Sequence, residues 1–282
     1  MKHAYLIMAH NEFDVLQRLV TALDDVRNDI FIHVDRKVKI LPQLLVKHSN
    51  LYMIHDRIDV RWGHISQVKA EYVLLEAANN EDSYSYYHIL SGVHFPLKSQ
   101  DYLHNYFTEL SDRSVLNKMS MTTEEVTGKL RYYGFFIKHF MSAQPIKKRI
   151  AQFLWAAGIK LQKILGISRN KEISFIKSSN WVSLTHEAVH HLLQKKPLLL
   201  KQYRYTLCSD EFFVATELNH SNLASKLLFS DYLLKADIGR TRPKVYTLKD
   251  YPELKDSPYL FARKFDKSSM SLIDKILEDQ QH

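Results

Sequence analysis

The first third of the chain narrows the possible folds more than any other stretch. Residues 4–9, AYLIMA, form an unbroken apolar run bounded by His10, Asn11 and Glu12, which reads as a strand buried on both faces. Residues 12–23 then repeat their apolar positions at helical spacing, and DIFIHV at 29–34 is a second apolar run, stopped by Asp35, Arg36 and Lys37. Strand, helix, strand is a βαβ unit, whose crossover requires neighbouring parallel strands with the helix packed against them. LYMIHD at 51–56 reads as a third strand, 66–78 as a helix and YYHILSG at 86–92 as a fourth strand. This alternation predicts an α/β fold with a mostly parallel central sheet flanked by helices.

The later chain is less regular. Residues 119–140 are polar and then aromatic-rich, SSNWVSL at 178–184 reads as a short strand, a helix follows over 185–194, and CSDEFFVATEL at 208–218 opens another. No internal repeat, low-complexity tract or Gly/Ser linker marks a boundary, and glycine and proline number only seven each. The 282 residues, 45% apolar and 12% aromatic, therefore read as a single domain with ample material for a core.

The formal charge of +8 is concentrated. Residues 126–171 hold ten Lys or Arg and no acid, whereas the remaining chain carries 29 basic and 31 acidic residues. Within this segment Ile146, Ile150, Phe153, Leu154, Ala157, Leu161, Ile164 and Leu165 recur at helical spacing among the basic residues. Two readings stand: an ordinary helix with its apolar stripe on the core, or a basic amphipathic helix lying on an anionic membrane surface through residues 138–171. A nucleic-acid partner is not expected, because no RNA-binding motif or zinc-ligand pattern accompanies the charge. One cysteine, Cys208, excludes an intramolecular disulfide. The short, broken apolar start does not read as a signal peptide, and no run reaches the ~18–20 apolar residues of a membrane span. A cytoplasmic protein is the resulting expectation, peripheral at the inner face of the plasma membrane if the basic helix docks there.

In parallel α/β sheets ligands bind beyond the carboxyl ends of the strands. That rule points to Met8, Ala9 and His10 after the first strand, Asp35 after the second and residues 59–63 beyond the third. Neither GxGxxG nor GxxxxGK[ST] occurs, so a single nucleotide fits better than a dinucleotide or a P-loop ligand. In CSDEFFVATEL, Asp210 and Glu211 suit the first turn of a helix, and a carboxylate there is equally suited to proton abstraction.

Several stretches, in order along the chain, resemble the core-2 and I-branching β-1,6-N-acetylglucosaminyltransferases, a family (glycosyltransferase family 14) that includes the peptide O-xylosyltransferases. They are AYLIMAHNEFDVLQRLVTAL with DIFIHVDRK, VRWGHISQVKAE, YYHILSGVHFPLKS, SSNWVSLTHEAV, SDEFFVATEL, RPKVYTLKDYPEL and LFARKFD. The resemblance implies a GT-A-type nucleotide-sugar-binding fold, with a nucleotide-binding half at 1–115 and an acceptor and catalytic half at 116–282. It implies inverting transfer from a UDP-sugar, N-acetylglucosamine favoured and xylose the alternative, to a hydroxyl of a glycan. Glu211 matches the family's catalytic base, with Asp210 as the helix cap beside the acceptor. No cofactor and no metal are implied: the family is metal-independent, and DxD is absent here. The leaving UDP is met instead by Lys264 of LFARKFD and by an arginine, taken as Arg242 although Arg240 lies close by. Met8, Ala9, His10, Asp35 and Trp62 map to the donor pocket and Trp181 to the acceptor side. Animal branching enzymes carry a membrane anchor and several disulfides, so this chain looks like a bacterial relative acting on a lipid-linked oligosaccharide in surface polysaccharide synthesis.

Overall fold

The structure, a computed structural model, describes residues 1–237 and 243–280. The first half runs β1 (His3–Ala9), α1 (Phe13–Ala22), β2 (Asn28–Val34), β3 (Asn50–Met53), α2 (Ser66–Glu81), β4 (Tyr86–Ser91), β5 (His94–Pro96) and α3 (Gln100–Glu109). The second runs β6 (Ser114–Leu116), α4 (Thr123–Leu130), α5 (Pro145–Ile164), β7 (Ser183–Thr185), α6 (His186–Tyr203), α7 (Phe213–Asn219), β8 (Leu227–Phe229), β9 (Leu234–Lys235), α8 (Tyr251–Lys255), β10 (Phe261–Arg263) and α9 (Met270–Gln280). Seven strands form one sheet in the order β3-β2-β1-β4-β7-β6-β8, and β5, β10 and β9 form a smaller one. The large sheet takes strands from both halves of the sequence. Only β7 runs against its neighbours, pairing antiparallel with both β4 and β6.

The unbroken apolar runs are explained by layers on both sides. Side chains of a strand alternate between faces. Tyr5, Ile7, Ile30 and Ile32 meet α1 and α9 through Leu16, Leu19, Leu272 and Ile273, whereas Leu6 and Phe31 meet α2 and α6 through Val68, Leu75, Val189 and Leu192. Each such fully buried side chain contributes about 1.5–3 kcal/mol of transfer free energy, which fixes the strand faces.

The expected α/β sheet is present, with local differences. The third strand stops at Met53 rather than residue 56, and Ile54–Ile65 loops over the sheet edge, its first amide still bonded to Ile32. SSNWVSL forms a strand only over its end, and the helix after it runs to Tyr203 through Pro197, held beyond the proline by buried Leu199 and Tyr203. CSDEFF does not begin a helix at Asp210. Cys208 adopts φ 57°, Ser209–Glu211 make one 3-10 turn, and α7 starts at Phe213 with no side-chain cap. Arg240 and Arg242 lie outside the described residues.

Candidate active site

The βα loops gather the candidate residues at the carboxyl edge of the parallel strands, where β1, β2 and β4 end. Met8 and Ala9 close β1; the Gly92 amide bonds the Met8 carbonyl, and the Asp35 amide bonds that of Ala9 (2.9 and 2.8 Å). A β-carbon at Gly92 would stand 3.0 Å from that of Ala9, so the end of β4 approaches β1 this closely only with glycine there. Asp35 is buried, and its carboxylate is already engaged: Oδ1 accepts from the Lys37 amide at 2.8 Å and Oδ2 from Lys37 Nζ at 2.5 Å. Lys37 also reaches Asp59 (3.0 Å), which pairs with Arg61 (2.8 Å). Burial opposes ionisation of Asp59, but these two cations outweigh it and hold the carboxyl at about 2. The loop after β3 is thereby tied down over Asp35.

His10, the next residue along, is solvent-accessible yet crowded. Desolvation lowers its pKa, Asp35 opposes, and Lys264 and Lys37 add to the lowering, so these four groups are electrostatic neighbours. Lys264 reaches this corner because β10 pairs antiparallel with β5, Arg263 opposite His94, and the Phe265 amide bonds the Val93 carbonyl. Among the described residues Lys264 has no carboxylate within salt-bridge distance. A free ammonium beside the ends of β1 and β2 is placed to meet an anion.

The turn at 209–211 is fastened to the same edge through the start of α2. Gln67 accepts from the Gly63 amide (2.6 Å) and donates to Asp210 Oδ2 (3.0 Å), while the Cys208 amide bonds the Gly63 carbonyl (2.8 Å). Gly63 has φ 65°, a left-handed conformation that favours glycine. Asp210 is thus an anchor of the turn and not a helix cap: its carboxylate faces Gln67 and its Oδ1 is buried without a partner. Burial, together with the Glu211 charge, pushes its pKa up to about 7. Behind it Glu71 is wholly buried with no hydrogen bond to either oxygen; desolvation and then Asp210 raise its pKa far more than the nearby Asn180 side chain lowers it.

Glu211 points the other way. Its Oε2 lies 3.5 Å from Lys177 Nζ and 3.6 Å from Lys129 Nζ, and it makes no hydrogen bond. Both ammonium groups are hydrogen-bonded to Glu125 instead, at 2.7 and 2.6 Å. Desolvation raises the Glu125 pKa, but those bonds prevail and lower it. Glu211 therefore sits in a cationic setting with an oxygen lone pair unspent. Glu125, Lys129 and Lys177 were not singled out in the sequence. The signal was there as a Glu–Lys pair at i, i+4, but TTEEV also spells a helix start, and Thr122 does cap α4 by accepting from the Glu125 amide.

Between the two groups stands Trp181, just before β7. It packs against both core layers, His94 meets it edge-on at 4.8 Å between ring centres, and the Arg263 guanidinium lies 5.2 Å above its ring. The Ser91 amide donates to His94 Nδ1 at 3.0 Å, which places the histidine proton on Nε2; that nitrogen is buried without a partner. Trp62 is half exposed and stacks on Phe140 of the segment preceding α5, 6.3 Å away. Its aromatic contact is thus with that segment, while His10 and Asp35 lie with Lys37 and Lys264. Among the described residues, no group of three or more His, Cys, Asp or Glu side chains is arranged to share a metal ion.

In a mostly parallel α/β sheet the ligand site lies at the carboxyl ends of the strands, and it is there that this chain gathers its oppositely charged groups. The core-2/I-branching enzyme family model matches residues 3–242, and the chain belongs to that family, which makes it a glycosyltransferase. Among solved structures the chain is similar to apo mouse xyloside xylosyltransferase 1, at 9% identity over 93% of this chain and 96% of that one, with a TM-score of 0.39. A likeness that distant says nothing about the substrate here. No curated protein matches the chain.

Proposed function

We propose that this chain transfers a sugar from a UDP-sugar to a hydroxyl group of a glycan acceptor, in one displacement that inverts the anomeric centre. Glu211 takes the proton of the acceptor hydroxyl as its oxygen attacks the anomeric carbon; the bond to the diphosphate breaks on the opposite side, and UDP departs. Lys264, together with Arg242, neutralises the charge that develops on the leaving group, a task that side chains perform here without a metal ion. The nucleoside rests against Met8, Ala9, His10 and Asp35 with Trp62 as the aromatic contact near the base, and Trp181 shapes the acceptor side. The halves 1–115 and 116–282 bind donor and acceptor within one domain. A GT-A-type binding mode, N-acetylglucosamine as the donor sugar and a lipid-linked oligosaccharide as the acceptor belong to the same reading.

The observation that carries it is Glu211 itself, whose side chain stays 25% exposed at the turn while its buried Oε2 faces two lysines that Glu125 already bonds. A general base must come within hydrogen-bond reach of the proton it removes, and such a base typically contributes about 10²–10⁴ in rate. Asp210, tied to Gln67, positions the turn. The test is a panel of UDP-sugars incubated with the wild-type chain and glycan acceptors in EDTA, with the product's anomeric configuration read by NMR. Transfer of N-acetylglucosamine with inversion supports the reading, and transfer of xylose corrects the donor. Retention of configuration, or complete loss of activity in EDTA, refutes the mechanism.

A further inference from the structure

α5 contradicts the usual relation between apolar periodicity and burial. Of its twenty residues only Ala151, Ile159 and Gln162 are buried. Gln162 fastens it by accepting from the Tyr133 amide and donating to the Tyr133 carbonyl. The apolar stripe noted in the sequence faces outward: Ile146 is 74% exposed, Phe153 71% and Ile164 73%, with Ile150 and Leu161 more than half exposed. At 3.6 residues per turn, positions 146, 150, 153, 157, 161 and 164 lie along one side of a helix, and 151, 159 and 162 lie on the opposite side. Lys147, Arg149, Lys160 and Lys163 border the outward stripe, and the segment holds no acid that would repel an anionic surface. Beside it opens a cleft of about 680 Å³ lined by Lys69, Lys138, Lys201 and Arg204 with Phe135 and Phe136, again with no acid in its walls.

We infer that the outward face of α5 docks the protein on an anionic lipid bilayer, with its apolar stripe in the interface and its basic residues against the headgroups. The charge complementarity selects the occupant. Exposed Ile and Phe gain nothing from the phosphate backbone of a nucleic acid, and a second copy of α5 would bring like charges together, whereas a leaflet of anionic lipid accepts both features at once. No helix among the described residues is long and apolar enough to cross a membrane, so this is attachment to a surface.

The experiment is co-sedimentation of the full chain with phosphatidylglycerol vesicles and with phosphatidylcholine vesicles, at low and high salt. The expected result is binding to the anionic vesicles at least about tenfold stronger than to the neutral ones, weakening with salt. Phe153→Ser with Ile164→Ser, and separately Lys147→Glu with Arg149→Glu, should each lower it by about tenfold. These side chains are exposed, so near-UV circular dichroism should be unchanged, which separates lost docking from lost folding. Absence of sedimentation with phosphatidylglycerol overturns the inference, as does sedimentation that neither pair of substitutions changes. Without vesicle binding, a dimer in light scattering that Phe153→Ser with Ile164→Ser dissolves would assign the face to a second copy, and salt-sensitive binding of duplex DNA or RNA would assign it to nucleic acid.

Discussion

Two long helices, α2 and α5, behave in opposite ways. α2 buries eight of its sixteen residues between the sheet and α6, whereas α5 buries three of twenty. α2 is the crossover between β3 and β4, reached through the loop 54–65, and that geometry brings its apolar positions onto the sheet. α5 sits in a segment with no named strand, anchored by Gln162, by Gln152 bonded to the Phe140 carbonyl, and by the close approach of Trp155 to Gly134. Spacing shows that a helix has an apolar face; connectivity decides what that face meets. The functional consequence is a division of labour. The helix locked into the core presents Gln67 and the buried Glu71 to the 209–211 turn, and the loosely held one presents its stripe to the exterior.

The widest gap between the two regions should appear in catalysis. Glu211→Gln should lower turnover by about 10²–10⁴ while leaving UDP binding by calorimetry nearly unchanged, because only the proton transfer is lost. The charge reversal at Lys147 and Arg149 should leave transfer to a soluble acceptor unaffected. Equal losses from both would erase the distinction. Lys264→Ala comes next, with turnover down about 10²–10³ and UDP binding weakened as well, since the ammonium acts on the leaving group in both states.

Stability sharpens the same contrast. Leu75→Ala in α2 removes a wholly buried side chain and should cost about 2–5 kcal/mol in urea unfolding, whereas Ile164→Ala in α5 should stay within about 0.5 kcal/mol. A comparable cost at both positions would mean that α5 is packed after all.

The smallest effect depends on pH. Asp210 has a folded-state pKa of about 7, above its unfolded value. Between the two values the folded protein holds a proton that the unfolded chain has released, so stability is greatest below the unfolded value and declines as pH rises towards 7. Asp210→Asn removes that decline. Relative to wild type it should gain on the order of 1–3 kcal/mol at about pH 8 and nothing near pH 4. Glu71, shifted in the same direction, leaves part of the slope in place. A variant whose stability runs parallel to wild type at every pH would show that Asp210 ionises freely in its pocket.

Much of the fold was readable from the sequence where a local pattern and its structural meaning coincide. AYLIMA and DIFIHV are continuous because both faces of β1 and β2 are covered, and the crossover through α1 makes the two strands pair in parallel. The three-residue strands β5, β6, β8 and β10 were not legible, since pieces that short acquire their form from partners distant in sequence. At the candidate site, strand-end logic reached Met8, Ala9, His10 and Asp35, and the resemblance supplied Glu211 and Lys264. The roles within the 209–211 turn were harder to read. An acid before an apolar run looks like a cap whether its oxygen bonds the backbone or, as Asp210 does, a glutamine 143 residues away. Lys129, on α4 beside Glu125, and Lys177, from the loop before β7, converge on Glu211 from separate elements, a convergence that no spacing encodes.

The central claim is that Glu211 and Lys264 act on one donor bound across the carboxyl edge of the sheet. A crystal structure of the Glu211→Gln variant with an intact UDP-sugar tests it most directly. The account predicts the diphosphate on Lys264, the uridine against His10 and Asp35, and the anomeric carbon open to residue 211 on the side away from the phosphate. A UDP-sugar bound elsewhere, or one presenting its phosphate rather than its sugar to residue 211, would contradict it.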